Sequence, residues 1–220
     1  MKFRLAVAAA ALATSGLANA ATIDWNTWSS NTNGTIATSS GPVTVTYRGE
    51  MSGFYTNYPS WNPSDSFADG TIVDNGPTGT NGIVRLIGGF GNEATVDSIT
   101  FSAPVLNPVI SIWSLGQSGD TASFRFRGVT PVLVAGGPSD EYDGGSIVVN
   151  GNTVSGTEGN GTVQFLGTYT SLSWTNPVAE NWYGFNVGAS EVTAVPEPGS
   201  VGLLLAGLTL LGLARRRAAR

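Results

Sequence analysis

Apolar residues in this chain come in short runs that alternate with polar ones, and pairs containing glycine or asparagine separate the runs. Period-two alternation sends successive side chains to opposite faces of an extended strand, so a chain written this way is confined largely to sheets with a buried face. Phe124-Arg125-Phe126-Arg127 is the cleanest case, with phenylalanines inward and arginines outward. In the same way Val43, Val45 and Tyr47 share one face, and Thr44, Thr46 and Arg48 the other. Further strands are predicted over 22–28, 83–87, 95–101, 109–115, 132–135, 146–150, 161–167, 169–175 and 182–188. In 109–115, Ile110, Ile112 and Ser114 fall on one face and Val109, Ser111, Trp113 and Leu115 on the other. Asn150-Gly151 and Asn160-Gly161 are hairpin markers, since both residue types tolerate positive φ. Strands at this spacing, with no helical pattern between them, predict an all-β fold: an antiparallel β-sandwich of jelly-roll kind.

The two ends are written differently. Lys2 and Arg4 precede an alanine-rich apolar segment, Leu5 to Leu17, and Ala18-Asn19-Ala20 has the small-x-small form of a cleavage site. This is the pattern of a secretory signal peptide over 1–20, with a short signal helix, leaving a body of residues 21–194. At the other end, Val195-Pro196-Glu197-Pro198-Gly199-Ser200 holds two prolines that fix φ and remove amide donors, so it is expected to stay extended. Ser200 offers a helix N-cap, and Val201 to Ala214 contains seven leucines and no charge. That stretch reads as a single transmembrane helix. At ~1.5 Å per residue it covers roughly 21 Å of a hydrocarbon core about 30 Å thick, which makes it a short anchor. Arg215, Arg216 and Arg217 stop it and, by the positive-inside rule, lie in the cytoplasm.

The order of extended motif, short apolar helix and basic end over residues 195–220 resembles the PEP-C-terminal (PEP-CTERM) sorting signal of exported bacterial proteins. Val195, Pro196, Glu197 and Pro198 carry the resemblance. It implies a membrane-embedded processing enzyme, exosortase, as partner, in Gram-negative bacteria that make extracellular polysaccharide. It further implies export across the inner membrane, transient anchoring through the C-terminal helix, and a final place at the cell surface or in the extracellular matrix. A permanent C-terminal anchor is the competing reading of the same residues.

Between the ends, four arginines (Arg48, Arg85, Arg125 and Arg127) face fourteen acidic residues, a body charge of −10. So acidic a body argues against nucleic acid and anionic lipid, whose phosphates need positive partners. Cysteine and histidine are both absent. Their absence excludes disulfides, Ser-His-Asp and Cys-His catalysis, and ordinary zinc sites. No catalytic residues are predicted, and no cofactor is required.

Two stretches remain as candidate binding sites. Asp140, Glu141 and Asp143 sit in a glycine-rich loop and suit a calcium ion, which takes hard oxygen ligands, although the EF-hand spacing is absent. Asp65, Asp69 and Asp74 form a second, looser acidic group. The 49–82 stretch is expected to be a long loop rich in aromatic residues, including Phe54, Tyr55, Tyr58, Trp61 and Phe67. Tyr55, Tyr58 and Trp61 are its candidate sugar-stacking rings, the alternative being rings packed down as a lid on the sandwich. The leading expectation is thus a structural protein of the surface or matrix. A glycan-binding module is the alternative, and a carbohydrate-active enzyme stands third.

Overall fold

Strands form where the alternation predicts them, and the inward residues of two sheets meet to build one core. The computed structural model describes residues 20–56, 66–89, 95–139 and 143–192. Within them lie β1 (Asp24–Trp25), β2 (Thr27–Trp28), β3 (Asn33–Thr38), β4 (Gly41–Arg48), β5 (Gly53–Tyr55) and β6 (Ile83–Leu86). Next come β7 (Val96–Leu106), β8 (Val109–Leu115), β9 (Ala122–Phe126), β10 (Val132–Gly136), β11 (Gly145–Ser146) and β12 (Val148–Asn150). The last are β13 (Thr153–Gly156), β14 (Gly159–Gln164), β15 (Thr168–Thr175), β16 (Tyr183–Ala189) and β17 (Glu191–Val192). The expected signal helix and transmembrane helix lie outside the described residues, among which no helix is long and apolar enough to cross a membrane.

One sheet runs β10-β14-β8-β16-β6-β5 and the other β12-β13-β9-β15-β7-β4-β3-β2. Pairing is antiparallel apart from the short β11–β14 contact and the isolated Ala21–Val73 bridge. The central strands β14-β8-β16-β6 and β13-β9-β15-β7 have the jelly-roll order, with successive strands alternating between sheets except at the β9–β13 pair. The predicted architecture is therefore the one observed.

The inward face of the second sheet meets that of the first in a single aromatic-rich core. Trp174 is fully buried among Tyr47, Phe124, Phe126 and Phe185, with ring centroids 5.3–6.2 Å away. Phe126 in turn meets Phe165 edge-on at 4.7 Å. Edge-to-face and offset packing of this kind adds to the area term, because ring edges are positive and faces negative.

The first sheet is covered on both sides. Phe67 lies 4.6 Å from Trp113, Val73 packs with Ile23, Trp25 and Val109, and the Thr162 hydroxyl donates to the Phe67 carbonyl at 2.8 Å. Residues 66–82 thus lie over the sheet's outer face, and β8, β14 and β16 are buried along their whole length. Inside the expected 49–82 loop the chain also forms β5 and a short 3-10 turn at Gly79–Asn81.

One expected face assignment differs. Leu115 joins Ile110 and Ile112 in the main core instead of lying with Val109 and Trp113. The cause is a bulge: Ser114 has φ 51°, and the register against β14 shifts between Gly159 and Gly161. One extra residue flips every side chain beyond it to the other face. The bulge is fixed by the fully buried Asn160, whose Oδ1 accepts the Ser114 amide at 2.9 Å.

Candidate functional site

Two features of the sandwich combine polar groups in a way that bears on function: an open cleft at one lateral edge and a closed set of carboxyls. The cleft, about 580 Å³, is lined by Ser29, Ser30 and Asn31 on one side and Met51, Ser52, Gly53 and Phe54 on the other. It forms because edge strands β2 and β5 belong to different sheets that meet here. The β2–β3 turn holds its shape locally, with the Ser29 and Ser30 amides donating to the Asn33 carbonyl and Ser30 Oγ accepting the Asn33 amide at 3.1 Å. Opposite, β5 pairs with β6, and the Ser52 amide donates to the Arg85 carbonyl at 2.9 Å. A cleft of this size with hydroxyl and amide groups facing a thioether and a ring lies within the range of small-ligand sites.

Glu50 directly precedes the cleft residue Met51, but the carboxyls themselves are buried. Asp97 occupies an inward position on β7 and is fully buried. Its Oδ1 accepts the Tyr47 hydroxyl at 2.7 Å and the Glu50 amide at 2.8 Å, while Oδ2 has no partner. The Tyr47 hydroxyl also contacts the Glu50 carbonyl. A phenol has one hydrogen, and here it faces two acceptors. The one hydrogen is shared between the Asp97 carboxyl and the Glu50 carbonyl. Burial pushes the Asp97 carboxyl up to about 7, with the Glu50 charge adding to the effect and hydrogen bonds from Tyr47 and Glu50 opposing it.

Glu50 Oε1 accepts the Gly88 amide at 2.8 Å and the Tyr183 hydroxyl at 3.2 Å, and burial raises its carboxyl as well. Gly88 has φ +64°, and a Cβ there would stand 2.3 Å from the Val178 carbonyl oxygen and 2.7 Å from the Tyr183 hydroxyl, so the strap it forms needs glycine. Further along, Glu180 Oε1 accepts the Gly116 amide at 3.0 Å. Burial raises Glu180 to about 8, and the neighbouring Glu158 pushes the same way. Tyr47 and Tyr183 are both held well above the usual phenol range by burial and by these carboxylates.

The sequence candidates are placed as follows. Tyr55 is half-buried and packs against the cluster of Phe67, Ile83 and Trp113, while Tyr58 and Trp61 lie outside the described residues. Of the acidic loop, Asp143 is described: it is exposed, has φ 52°, bridges Ser139 through the backbone and gives its carbonyl to Asn160 Nδ2 at 3.0 Å. Asp140 and Glu141 lie outside the described residues, and among the described ones no group of three or more acidic side chains is placed to hold a metal. Asp69 has a local task, its carboxylate accepting the amides of Thr71, Ile72 and Val73, and these bonds hold it down to about 2 against the effect of partial burial. The cleft and the Glu50, Asp97 and Glu180 set join residues distant in sequence and have almost no local signature. The one visible signal was Asp97 in the inward slot of a strand whose next inward residues are Ile99 and Phe101.

The described residues form a jelly-roll body, followed in sequence by a C-terminal segment of different chemistry. That segment is a protein-sorting signal: residues 194–218 match the family model of the PEP-CTERM protein-sorting motif. The match takes in the predicted Val195, Pro196, Glu197 and Pro198 and the stop residues Arg215, Arg216 and Arg217, all outside the described residues. It implies an exported protein, anchored transiently in the membrane and processed by exosortase. Comparison with curated proteins and with solved structures found no match.

Proposed function

We propose that the body is a structural component of the producing cell's surface or extracellular matrix, brought there by its sorting signal. The observation that carries this reading is the sorting motif joined to a jelly-roll whose strongly perturbed carboxyls are sealed inside it. Asp97 is inaccessible, and Glu50 and Glu180 are spent on backbone amides, so these groups serve the fold and not a substrate. No covalent chemistry is assigned to the body, and no cofactor. Replacing Pro196, Glu197 and Pro198 together with alanine is expected to abolish processing, leaving unprocessed protein in the membrane fraction. Normal release of that variant would refute sorting through this motif.

A second reading, a glycan-binding module of the same matrix, is favoured by the cleft. Met51 and Phe54 offer the apolar surface that a sugar ring covers, and Ser29, Ser30, Asn31 and Ser52 offer hydroxyl and amide partners. Phe54→Ala is expected to weaken binding of a neutral oligosaccharide at least tenfold, read as a change in tryptophan fluorescence on titration. Equal affinity of the variant and the parent would remove the cleft from the account.

A further inference from the structure

We propose that the outer face of the second sheet is a docking surface for an anionic polysaccharide, a glycan chain bearing one carboxylate on many of its sugar units. Pairing across the sheet sets the surface out in rows. One row runs Asn33, Thr46, Thr100, Ser171 over β3, β4, β7 and β15. The next runs Arg48, Ser98, Ser173, Arg127, the last placed by its amide bond to the Ser173 carbonyl at 2.9 Å. A third runs Val96, Thr175, Arg125, Thr153, Asn150.

Three of the body's four arginines therefore stand on one face, and none of these rows contains a carboxylate. The acidic residue of β7, Asp97, points the other way into the core. Arg48, Arg125 and Arg127 are exposed and, among the described residues, are in no ion pair. In a body of net charge −10 this is a local reversal of sign. The remaining charge acts weakly on it, since the Debye length is ~8 Å at physiological ionic strength.

Strands ~4.8 Å apart place the Cα atoms of Arg48 and Arg127 about 14 Å from each other, with Arg125 two residues, or ~7 Å, from Arg127. Three guanidinium groups spread this far suit a polymer of spaced carboxylates, each able to take a bidentate bond. They fall short of the charge on duplex DNA, one for every ~1.7 Å of axis. Between the arginines lie Ser98, Ser173 and Thr175, with Thr46 and Thr100 in the row beside them, hydroxyls that both donate and accept and so match the hydroxyls of a sugar chain. This choice of partner rests on the matrix reading, which supplies the setting in which such a polymer is met.

The experiment measures binding of the purified exported protein to polygalacturonate, with dextran, duplex DNA and anionic lipid vesicles as comparisons. Retention by polygalacturonate alone is expected, weakening as salt is raised. The triple variant R48S/R125S/R127S should bind at least tenfold more weakly with an unchanged urea midpoint. Should the triple variant fold poorly, R125S and R127S singly are expected to lose about threefold each. Undiminished binding by the arginine variants, no binding to polygalacturonate, equal retention by dextran, or preference for DNA or vesicles would overturn the proposal. Fractionation of producing cells separates the two ideas: protein found with the matrix but indifferent to the arginine changes sinks this inference alone. Protein that binds through the arginines yet never reaches the matrix sinks the matrix reading.

Discussion

Stability of the exported protein is expected to fall as pH rises from 6 to 9, by an amount on the order of 3 kcal/mol once the Glu180 contribution is reduced for solvent screening. Asp97 and Glu180 are raised in the folded state to about 7 and about 8, above the ordinary carboxyl values they regain on unfolding. A group of this kind binds more protons folded than unfolded between those limits. Its contribution is fully present below the unfolded value and is lost as pH passes through the folded one. Glu50 is shifted in the same direction, and the groups facing these carboxyls are Tyr47, Tyr183 and Glu158, which bring no positive charge. Asp97→Asn keeps in its Oδ1 an acceptor for the Glu50 amide and the Tyr47 hydroxyl and has no ionisable proton. It should therefore match the parent near pH 5 and exceed it near pH 9. Urea midpoints across this range provide the check, and a parent midpoint that is flat or rises toward pH 9 would contradict the proton assignment.

Trp174→Ala is expected to cost about 3–5 kcal/mol, the range for emptying a large aromatic site in a packed core. Trp174 is fully buried where Tyr47, Phe124, Phe126 and Phe185 converge, so no surface side chain can fill the void. Its indole also donates to Asn176 Oδ1 at 2.9 Å, and Asn176 Nδ2 holds the Ser123 carbonyl at 3.1 Å, tying the end of β15 to β9. Trp174→Phe keeps most of the ring volume but orphans a buried oxygen, a penalty of about 1–3 kcal/mol. The alanine variant should thus be the less stable of the two by urea denaturation at pH 6. Equal midpoints would mean that the cavity collapses and that Asn176 is the determinant.

Most of the sandwich was legible in the sequence because its strands are amphipathic in period two, and Phe124 to Arg127 states both faces in four residues. What failed to show has physical causes. Strand β3 carries a single large inward residue, Ile36, and begins Asn33-Gly34, so its composition reads as a turn. Strand β13 is similarly sparse, with Val154 between polar residues and a glycine. The Ser114 bulge depends on Asn160, distant in sequence, and no local pattern could have placed Leu115 in the main core. The cleft joins the 29–31 turn to the 51–54 segment only because two sheet edges meet. Glu50, Asp97 and Glu180 read as scattered acids for the same reason. Phe67 was foreseen as one of the rings of an aromatic loop, and its burial against Trp113 agrees with a lid more than with a display of rings. The sorting signal was readable at once, since its information lies in consecutive residues, 194–218.

A jelly-roll body is here delivered by a temporary C-terminal signal. Intact mass of the protein recovered from outside its producer tests it most directly. The expected species has lost the apolar stretch Val201 to Ala214 and the arginines after it, together with the first 20 residues. A recovered species that still ends at Arg220 would contradict it.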